Sequence, residues 1–259
     1  MATNTLEYPN EHSQAASLGR QILTQIQCEL LLTMRRGENV LVTLVVPVLL
    51  LIFFTSLNVV PSVNGSAINF LLPGILAVAI MAAGMVNLGI ATAYERYYGV
   101  LKRLGSSPLS RSGLIMAKVI SILILETIQV LLLVGVAIVL YGWKPVGSPL
   151  LVLLTIVLGT VTFASLGLAM AGALRAEMTL AGANALFLLF LLIGGGILPL
   201  SHLPVPLAMV SQWLPAAALT QALQATMSRG GSVPLMQLIE LAVWAIVILC
   251  VAMRTFKWE

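Results

Sequence analysis

The sequence has very little charge for its length. Only 8% of its 259 residues are Asp, Glu, Lys or Arg, whereas 59% are hydrophobic, a balance well outside that of soluble domains. All nine acidic residues are glutamates, and the net charge of +4 is too small and too dispersed to indicate a nucleic-acid surface. The composition argues against a nucleic-acid-binding protein and favours a chain that is solvated by lipid.

Cysteine is scarce, and the usual catalytic motifs are missing. Cys28 and Cys250 lie far apart and outside any Cys-x-x-Cys or Cys/His pattern, so we expect ordinary reduced thiols. The chain has no His-Glu-x-x-His helix, no Gly-x-Ser-x-Gly elbow and no paired acids within an apolar segment. We therefore expect neither a catalytic site nor a metal site.

A phosphate-binding Gly-x-x-x-x-Gly-Lys-Ser/Thr loop is missing as well. The nearest match, from Gly99 to Gly105, lacks the lysine and a following helix whose N-terminus could receive a phosphate. We expect this chain to bind no ATP by that route. Energy for uphill transport would have to come from an ion gradient or from another polypeptide.

What the sequence has instead is six long apolar stretches, each near the roughly 20 residues that a helix needs to span a bilayer. They cover residues 39–57, 67–93, 114–141, 149–173, 179–198 and 235–253. Both faces of each stretch are apolar, which excludes the period-two alternation of a membrane β-barrel. We predict an all-α integral membrane protein, with a tail over residues 1–17 and one membrane domain over 18–259.

The basic residues predict the orientation of the six spans. If the N-terminus is cytoplasmic, only Lys144 and Arg229 of the thirteen Lys and Arg residues lie outside. Because bases concentrate in cytoplasmic loops, both termini are predicted to be cytoplasmic.

The segment before the first span predicts an amphipathic helix. Leu18, Ile22, Ile26 and Leu30 recur every four residues, and more polar residues fall between them. We expect this helix to lie on the inner membrane face. A cytoplasmic extension of the first span is the alternative.

The segment after the fifth span cannot be one straight helix. Three consecutive glycines are followed by Pro199, Pro204 and Pro206, all of which interrupt helices. We predict short helices that dip partly into the outer leaflet, with Trp213 near the interface.

Small residues recur in the second and fourth spans, among them Gly84, Gly89, Gly159, Gly167 and Gly172. Such faces let helices approach closely. Packing within one bundle is a simpler interpretation of these glycines than contact between subunits.

Only one acid lies deep within a predicted span. Glu126 is near the middle of the third span, with Gln129 one turn further, and Asn87 and Asn184 lie in other spans. An ionisable residue at such a depth costs a few kcal/mol and is usually kept for a function. These four residues either line a substrate path or make hydrogen bonds between helices. Packing is the simpler interpretation for the three amides, and for Glu126 both interpretations stay open.

The most charged stretch is YERYYGVLKRLGSSPLSRSG, residues 94–113, between spans two and three. Gly99 ends the second span, Gly105 and Pro108 end the segment that follows, and Ser110 or Ser112 can cap the third span. We predict a short amphipathic helix between these breakers, at the inner membrane face. Its apolar side would carry Val100, Leu101 and Leu104, and its basic side Lys102 and Arg103.

This stretch and its surroundings resemble the type-2 ATP-binding cassette export permeases, including the bacterial daunorubicin-resistance-type permeases. The resemblance extends from the helix before span one, through NFLLPG at the start of span two, to RTFKW near the C-terminus. Where that family often has a second acid, this chain has Tyr97. The residues that match the family's loop motif are Glu95, Arg96, Gly99, Leu101, Lys102, Arg103, Leu104 and Pro108.

The resemblance implies the membrane subunit of an exporter. Its charged stretch would be a coupling helix that docks on a separate ATP-binding cassette ATPase, which would hold ATP and Mg²⁺. The turn between spans four and five, with Arg175 and Glu177, would add a second contact. This chain would then bind no cofactor and would not be an enzyme itself.

The resemblance also implies a second permease subunit, identical or related, and a substrate path lined by spans two and five. The apolar spans favour an amphiphilic or hydrophobic cargo, a drug or a lipid, exported across the bacterial cytoplasmic membrane. The alternative is a gradient-driven carrier or channel with no ATPase partner. It would need an intramembrane ion relay, for which Glu126 is the main candidate.

Overall fold

The computed structural model describes residues 17–35, 37–57, 67–197, 204–227 and 233–256. Within these ranges the chain forms eleven α-helices, one π-helical segment and no strand. The helices are α1 (Leu18–Arg35), α2 (Gly37–Leu57), α3 (Ile68–Met81), α4 (Gly89–Tyr97), α5 (Val100–Gly105), α6 (Arg111–Tyr141), α7 (Pro149–Ala173), α8 (Ala176–Ile193), α9 (Val205–Ser211), α10 (Pro215–Met227) and α11 (Leu235–Thr255). The π-helical segment, Ala82–Leu88, joins α3 to α4.

Six of these helices are long and apolar enough to span a membrane: α2, the continuous helix from α3 to α4, α6, α7, α8 and α11. The predicted six-span, all-α architecture is therefore confirmed. Two ends differ most from the prediction. The second span continues to Tyr97 instead of ending near residue 93, and the fifth ends at Ile193, where Gly194 follows. Residues 1–16 of the predicted tail lie outside the described residues.

Most of the described basic side chains lie at one end of the bundle, which we call the basic end. It comprises α5, the α7–α8 turn, the start of α6 and the end of α11. Two contacts hold these parts together: Arg96 bonds the carbonyl of Leu174, and Arg111 Nη1 lies 3.4 Å from the Phe256 carbonyl oxygen. Lys144 lies in the α6–α7 connection at the other end. The basic residues that the sequence predicts on one side of the membrane therefore lie mostly at one end of the folded bundle.

The second and fourth spans touch through glycine. A Cβ atom at Gly167 would lie 2.7 Å from the carbonyl oxygens of Gly84 and Met85, and one at Gly89 would lie 2.9 Å from Gly167 Cα. Optimal contacts between carbon atoms are about 3.5–4.0 Å, so only residues without a Cβ allow this approach. The predicted small-residue faces therefore pack against each other inside one bundle.

The short helices predicted after the fifth span are present as α9 and α10 and differ in burial. α10 is buried along most of its length and packs against α3, α7 and α11. Its alanines explain this position, because small side chains fit between three neighbouring helices. α9 is largely exposed, and Trp213, which is 74% exposed, fits the predicted interfacial position. The Trp213 carbonyl accepts a hydrogen bond of 3.1 Å from Trp244 Nε1.

α1 is a separate helix that packs on α6, but not through all of the predicted stripe. Ile26 is buried and Leu18 is mostly exposed, whereas Glu29, which lies off the stripe, is only 12% exposed. Several large apolar side chains of α1 stay exposed: Leu18, Leu23, Leu31, Leu32 and Met34. A helix at a membrane interface needs exposed apolar side chains that lipid can cover.

Candidate functional site

The short helix predicted between spans two and three is present as α5. It begins after Gly99, whose φ of 71° is a left-handed conformation that glycine adopts without strain. Leu101 is buried and Leu104 half-buried, and both pack on the basic end of the bundle. Val100, predicted on this apolar side, is exposed instead, and Leu109 after the helix is buried in its place.

Serine hydroxyls fix both ends of the connection that follows α5. Ser106 Oγ donates a hydrogen bond of 2.7 Å to the Arg103 carbonyl at the end of α5. Ser110 is the N-cap of α6, where its Oγ accepts from the backbone N–H of Gly113 at 3.1 Å. Exposed Pro108 lies between the two serines. The position of α5 against the third span is therefore set by local hydrogen bonds.

Glu95, at the end of the second span, is bonded inside the bundle. Its Oε2 lies 2.7 Å from Nζ of Lys118 on α6, and the same Nζ lies 2.9 Å from Oε1 of Glu29 on α1. Lys118 is 1% exposed, so water does not replace these partners. One lysine therefore joins α1, the second span and the third span through two carboxylates.

Arg96, the neighbouring residue, points to a different part of the basic end. Its guanidinium donates to the Gly172 carbonyl at 2.7 Å and to the Leu174 carbonyl, both at the C-terminal end of α7. These are carbonyl groups that a helix end leaves without an intrahelical partner. Arg96 thus fastens the end of the second span to the α7–α8 turn, where Arg175 and Glu177 are exposed.

The outward side of the basic end carries aromatic and basic side chains. Tyr97 and Tyr98 are 64% and 69% exposed, and their rings are 5.2 Å apart in an edge-to-face arrangement. We call this exposed region the coupling surface. It is formed by Tyr97, Tyr98, Val100, Lys102, Arg103, Arg175 and Glu177. Both predicted contact segments, α5 and the α7–α8 turn, therefore have exposed residues at the basic end.

The second and third spans are longer than a bilayer core requires. They have 30 and 31 residues, or about 45 Å at 1.5 Å per residue, against a hydrocarbon core of about 30 Å. The polar last turn of the second span contains Glu95 and Arg96, and α6 begins with Arg111. These charged residues indicate that part of the excess length lies at the end of the spans that α5 connects.

A polar cleft lies within the bundle among α1, α2, the second span and α6. Glu126 is 1% exposed, and its Oε2 accepts a hydrogen bond from the Thr160 hydroxyl of α7. Asn87 Nδ2 donates to Thr43 Oγ1 at 3.0 Å, and Gln129 Nε2 donates to the Thr43 carbonyl at 2.6 Å. Both amides therefore bond α2 from neighbouring helices, as the packing interpretation predicts.

The cleft has a volume of about 80 Å³. Ala83 and Asn87 of the π-helical segment line this cleft. π-helical turns inside α-helices occur frequently at functional sites. The complete lining is Thr33, Thr43, Ala83, Asn87, Leu88, Ala91, Ile122, Leu125, Glu126 and Gln129. Three of the four predicted path residues thus meet in one place.

Asn184, the fourth predicted path residue, lies elsewhere. It is exposed on α8, and its Nδ2 donates to the Leu180 carbonyl of the same helix at 2.8 Å. The cleft is therefore formed between spans one, two and three and not between spans two and five. Among the residues that the structure describes, no group of three or more His, Cys, Asp or Glu side chains could hold a metal ion.

Sequence reasoning missed Glu29 and Thr43 as partners of the predicted site residues, and it treated Lys118 only as one base on the inner side. The available signal was a lysine inside an apolar span, which requires a nearby acid. The identity of that acid could not be read from the sequence, because α1 and the second span are brought together only by packing.

A protein-family model matches this chain. The family model described as ABC-2 type transporter matches residues 20–228, which is most of the chain. The matched range extends from α1 to the end of α10 and includes α5, the buried lysine and the polar cleft. No curated protein gives a significant match.

Proposed function

Since this chain belongs to the ABC-2 type transporter family and is a permease subunit of such a transporter, we propose that it exports an amphiphilic or hydrophobic substrate with energy from a separate ATPase subunit. The export direction, the substrate class and the ATPase contacts are parts of this proposal. So is the location, a bacterial cytoplasmic membrane with both termini cytoplasmic. The absence of a phosphate-binding loop from the sequence supports an ATPase on another chain.

The observation that carries the proposal is the attachment of α5. Leu101 and Leu104 hold α5 on the bundle, while Lys102 and Arg103 are exposed on its other side. Exposed tyrosines and arginines are the residue types that contribute most to protein interfaces. We propose that the ATPase docks on the coupling surface.

Two connections would carry movement of α5 to the spans. Glu95 joins the adjoining end of the second span, through Lys118, to α6 and α1. Arg96 joins that end to the α7–α8 turn, and so to the fourth and fifth spans. A closure of the ATPase subunits that displaced α5 would therefore reach four of the six spans and α1 through buried and partly buried side chains.

A second permease subunit, identical to this chain or related to it, is also part of the proposal. The spans leave many large apolar side chains exposed, which lipid and a second subunit can cover. Substrate released between two such subunits would leave toward the side opposite the ATPases.

The test is to express the chain with and without the candidate ATPase subunits that its host encodes. We expect an ATPase to co-purify with the chain, and export from vesicles to require hydrolysable ATP. A stable chain that binds no ATPase, and whose transport follows a proton gradient without ATP, would instead identify a secondary carrier. A second test is the double variant Lys102→Glu/Arg103→Glu, which reverses the charge of two exposed side chains on the coupling surface and should abolish ATPase co-purification.

A further inference from the structure

The polar cleft contains an acceptor that the fold does not use. Glu126 Oε2 is bonded by Thr160, but Oε1 is buried and has no hydrogen-bond partner among the described residues. Leaving a buried polar atom unpaired costs free energy that folding alone does not recover. A carboxylate oxygen left unpaired in a cleft is therefore suited to a ligand that donates a hydrogen bond.

The other polar groups of the cleft are also suited to a donor. Asn87 and Gln129 bond α2 through their amide nitrogens, so the acceptor oxygen of each amide is not used in those bonds. The cleft lining contains no Lys, Arg or His. The closest described base along α6, Lys118, is two turns away, about 12 Å at 1.5 Å per residue, and it is paired with Glu29 and Glu95. The cleft thus has acceptors and a carboxyl group but no cation of its own.

The size and the remaining lining limit the class of ligand. A volume of about 80 Å³ holds a small head group, since one water needs roughly 10–15 Å³ on this measure. Leu88, Ile122 and Leu125 give the same cleft apolar walls. A small N–H donor with a positive charge, attached to hydrocarbon, satisfies both parts of the lining.

We propose that the cleft binds the ammonium group of an amphiphilic amine, with Glu126 as its principal acceptor and Asn87 and Gln129 as further acceptors. The inference rests on the proposed function, because it names the substrate class of that permease. Thr33 near the end of α1 and Thr43 near the start of α2 lie on the cleft wall, so the proposed amine site lies beside the junction of these helices. The ammonium can belong to a free amine or to an ethanolamine lipid.

The test uses the full chain alone in phosphatidylcholine nanodiscs, without an ATPase. Dicyclohexylcarbodiimide, a carboxyl reagent that dissolves in bilayers, is added, and all modified Glu126 is measured by mass spectrometry, both the N-acylurea adduct and any amide formed when an amine captures the activated carboxyl group. Protection means a fall in the sum of the two products. Dodecylamine should protect Glu126 in a saturable manner. Dodecanol, which lacks the charge, and dodecyltrimethylammonium, which lacks the N–H donor, should protect at least about tenfold less well.

Variants locate the effect in the cleft. Asn87→Leu removes an acceptor and should weaken protection about tenfold, whereas Thr127→Val, on the exposed side of α6, should not change it. The comparison of the three compounds on the unmodified chain tests the proposal even if Asn87→Leu fails to fold. A second set of nanodiscs contains phosphatidylethanolamine; protection there without dodecylamine would identify the lipid as the source of the ammonium.

Equal protection by dodecanol and dodecylamine would overturn the proposal, because the site would then select hydrocarbon and not ammonium. Failure of the reagent to label Glu126 at all would also overturn it, since the cleft would be closed to molecules in the bilayer. Neither result depends on ATP. Failure of this inference is therefore distinguishable from failure of the proposed ATPase coupling.

Discussion

The Nζ atom of Lys118 lies 2.7 Å from Oε2 of Glu95, so the second and third spans are joined by an ion pair that water scarcely reaches. Glu29 completes the group from α1 at 2.9 Å. A buried cation with two acidic partners makes three elements depend on one side chain. The connection between the coupling surface and the bundle can therefore be tested at single positions.

Removing the lysine should destabilise the fold strongly. Lys118→Met leaves two carboxylates buried without a counter-ion, which should lower the free energy of unfolding by about 3–5 kcal/mol. The measurement is the unfolding midpoint in detergent. Lys144→Met, at an exposed lysine, is the matched control and should stay within about 0.5 kcal/mol of the unmodified chain. Adding Glu29→Gln and Glu95→Gln to Lys118→Met should restore part of the loss, and no recovery would contradict the ion-pair explanation.

Replacing Arg96 by Met or by Lys should show whether the contact with α7 needs only a positive charge or also the planar shape of the guanidinium. The guanidinium donates to two carbonyls at once, and a lysine ammonium does not have the same planar fork. Arg96→Met should cost about 1.5–3 kcal/mol for each bond to the charged group. Arg96→Lys should retain part of the stability but slow ATP-dependent export. Equal stability and export in both variants and the unmodified chain would show that this contact does not hold the α7–α8 turn.

A methyl group should not fit between the second and fourth spans. Gly167→Ala places a Cβ 2.7 Å from two carbonyl oxygens, and the resulting strain should cost about 1–3 kcal/mol. Gly135→Ala on α6 is the matched control, because a Cβ there meets nothing within 4 Å. It should be neutral or stabilise the helix by up to about 1 kcal/mol. Comparable midpoints for the two variants would contradict the close packing.

Glu95→Ala and Leu104→Asp should uncouple ATP hydrolysis from export. Glu95→Ala leaves Lys118 paired with Glu29, so the chain should still insert and fold. Leu104→Asp places a charge on the side of α5 that packs on the bundle. With the ATPase present, export should fall about tenfold while basal hydrolysis persists. Export at the unmodified rate in both variants would refute the coupling role.

The exposed tyrosines should contribute to ATPase binding. Tyr98→Ala should weaken the affinity about tenfold, the effect of losing an aromatic interface residue. Tyr97→Glu, which introduces the acid often found in the family, should retain binding. Val139→Ala, at an exposed position of α6 near its C-terminal end, is the control. An affinity unchanged by Tyr98→Ala would place the docking surface elsewhere.

Much of the fold was predictable because lipid constrains it. Spans must be long, apolar and helical, so all six were found from composition. Gly99 and Gly105 marked the ends of α5, and Ser110 or Ser112 marked the start of the third span. Helix ends were predicted less well where side-chain contacts decide them. The second span extends to Tyr97 because Glu95 and Arg96 find partners in the bundle, and those partners are distant in sequence.

The candidate site was predicted only in part for the same reason. Depth alone singled out Glu126, but the sequence did not show that Asn87 and Gln129 share its cleft while Asn184 does not. The π-helical segment is another example: it lies where Gly84 and Gly89 meet α7, and an apolar sequence carries no local signal for it. Both features can be predicted only when it is known which helices are neighbours in the bundle.

The buried lysine also has a consequence for biosynthesis. Glu29 and Glu95 are both translated before Lys118, so their carboxylates have no counter-ion until the third span has been made. Since an unpaired charge is not buried at low cost, α1 cannot dock on the bundle while only the first two spans are in the membrane. Insertion of the third span is therefore the earliest step at which α1 can dock with its glutamate paired.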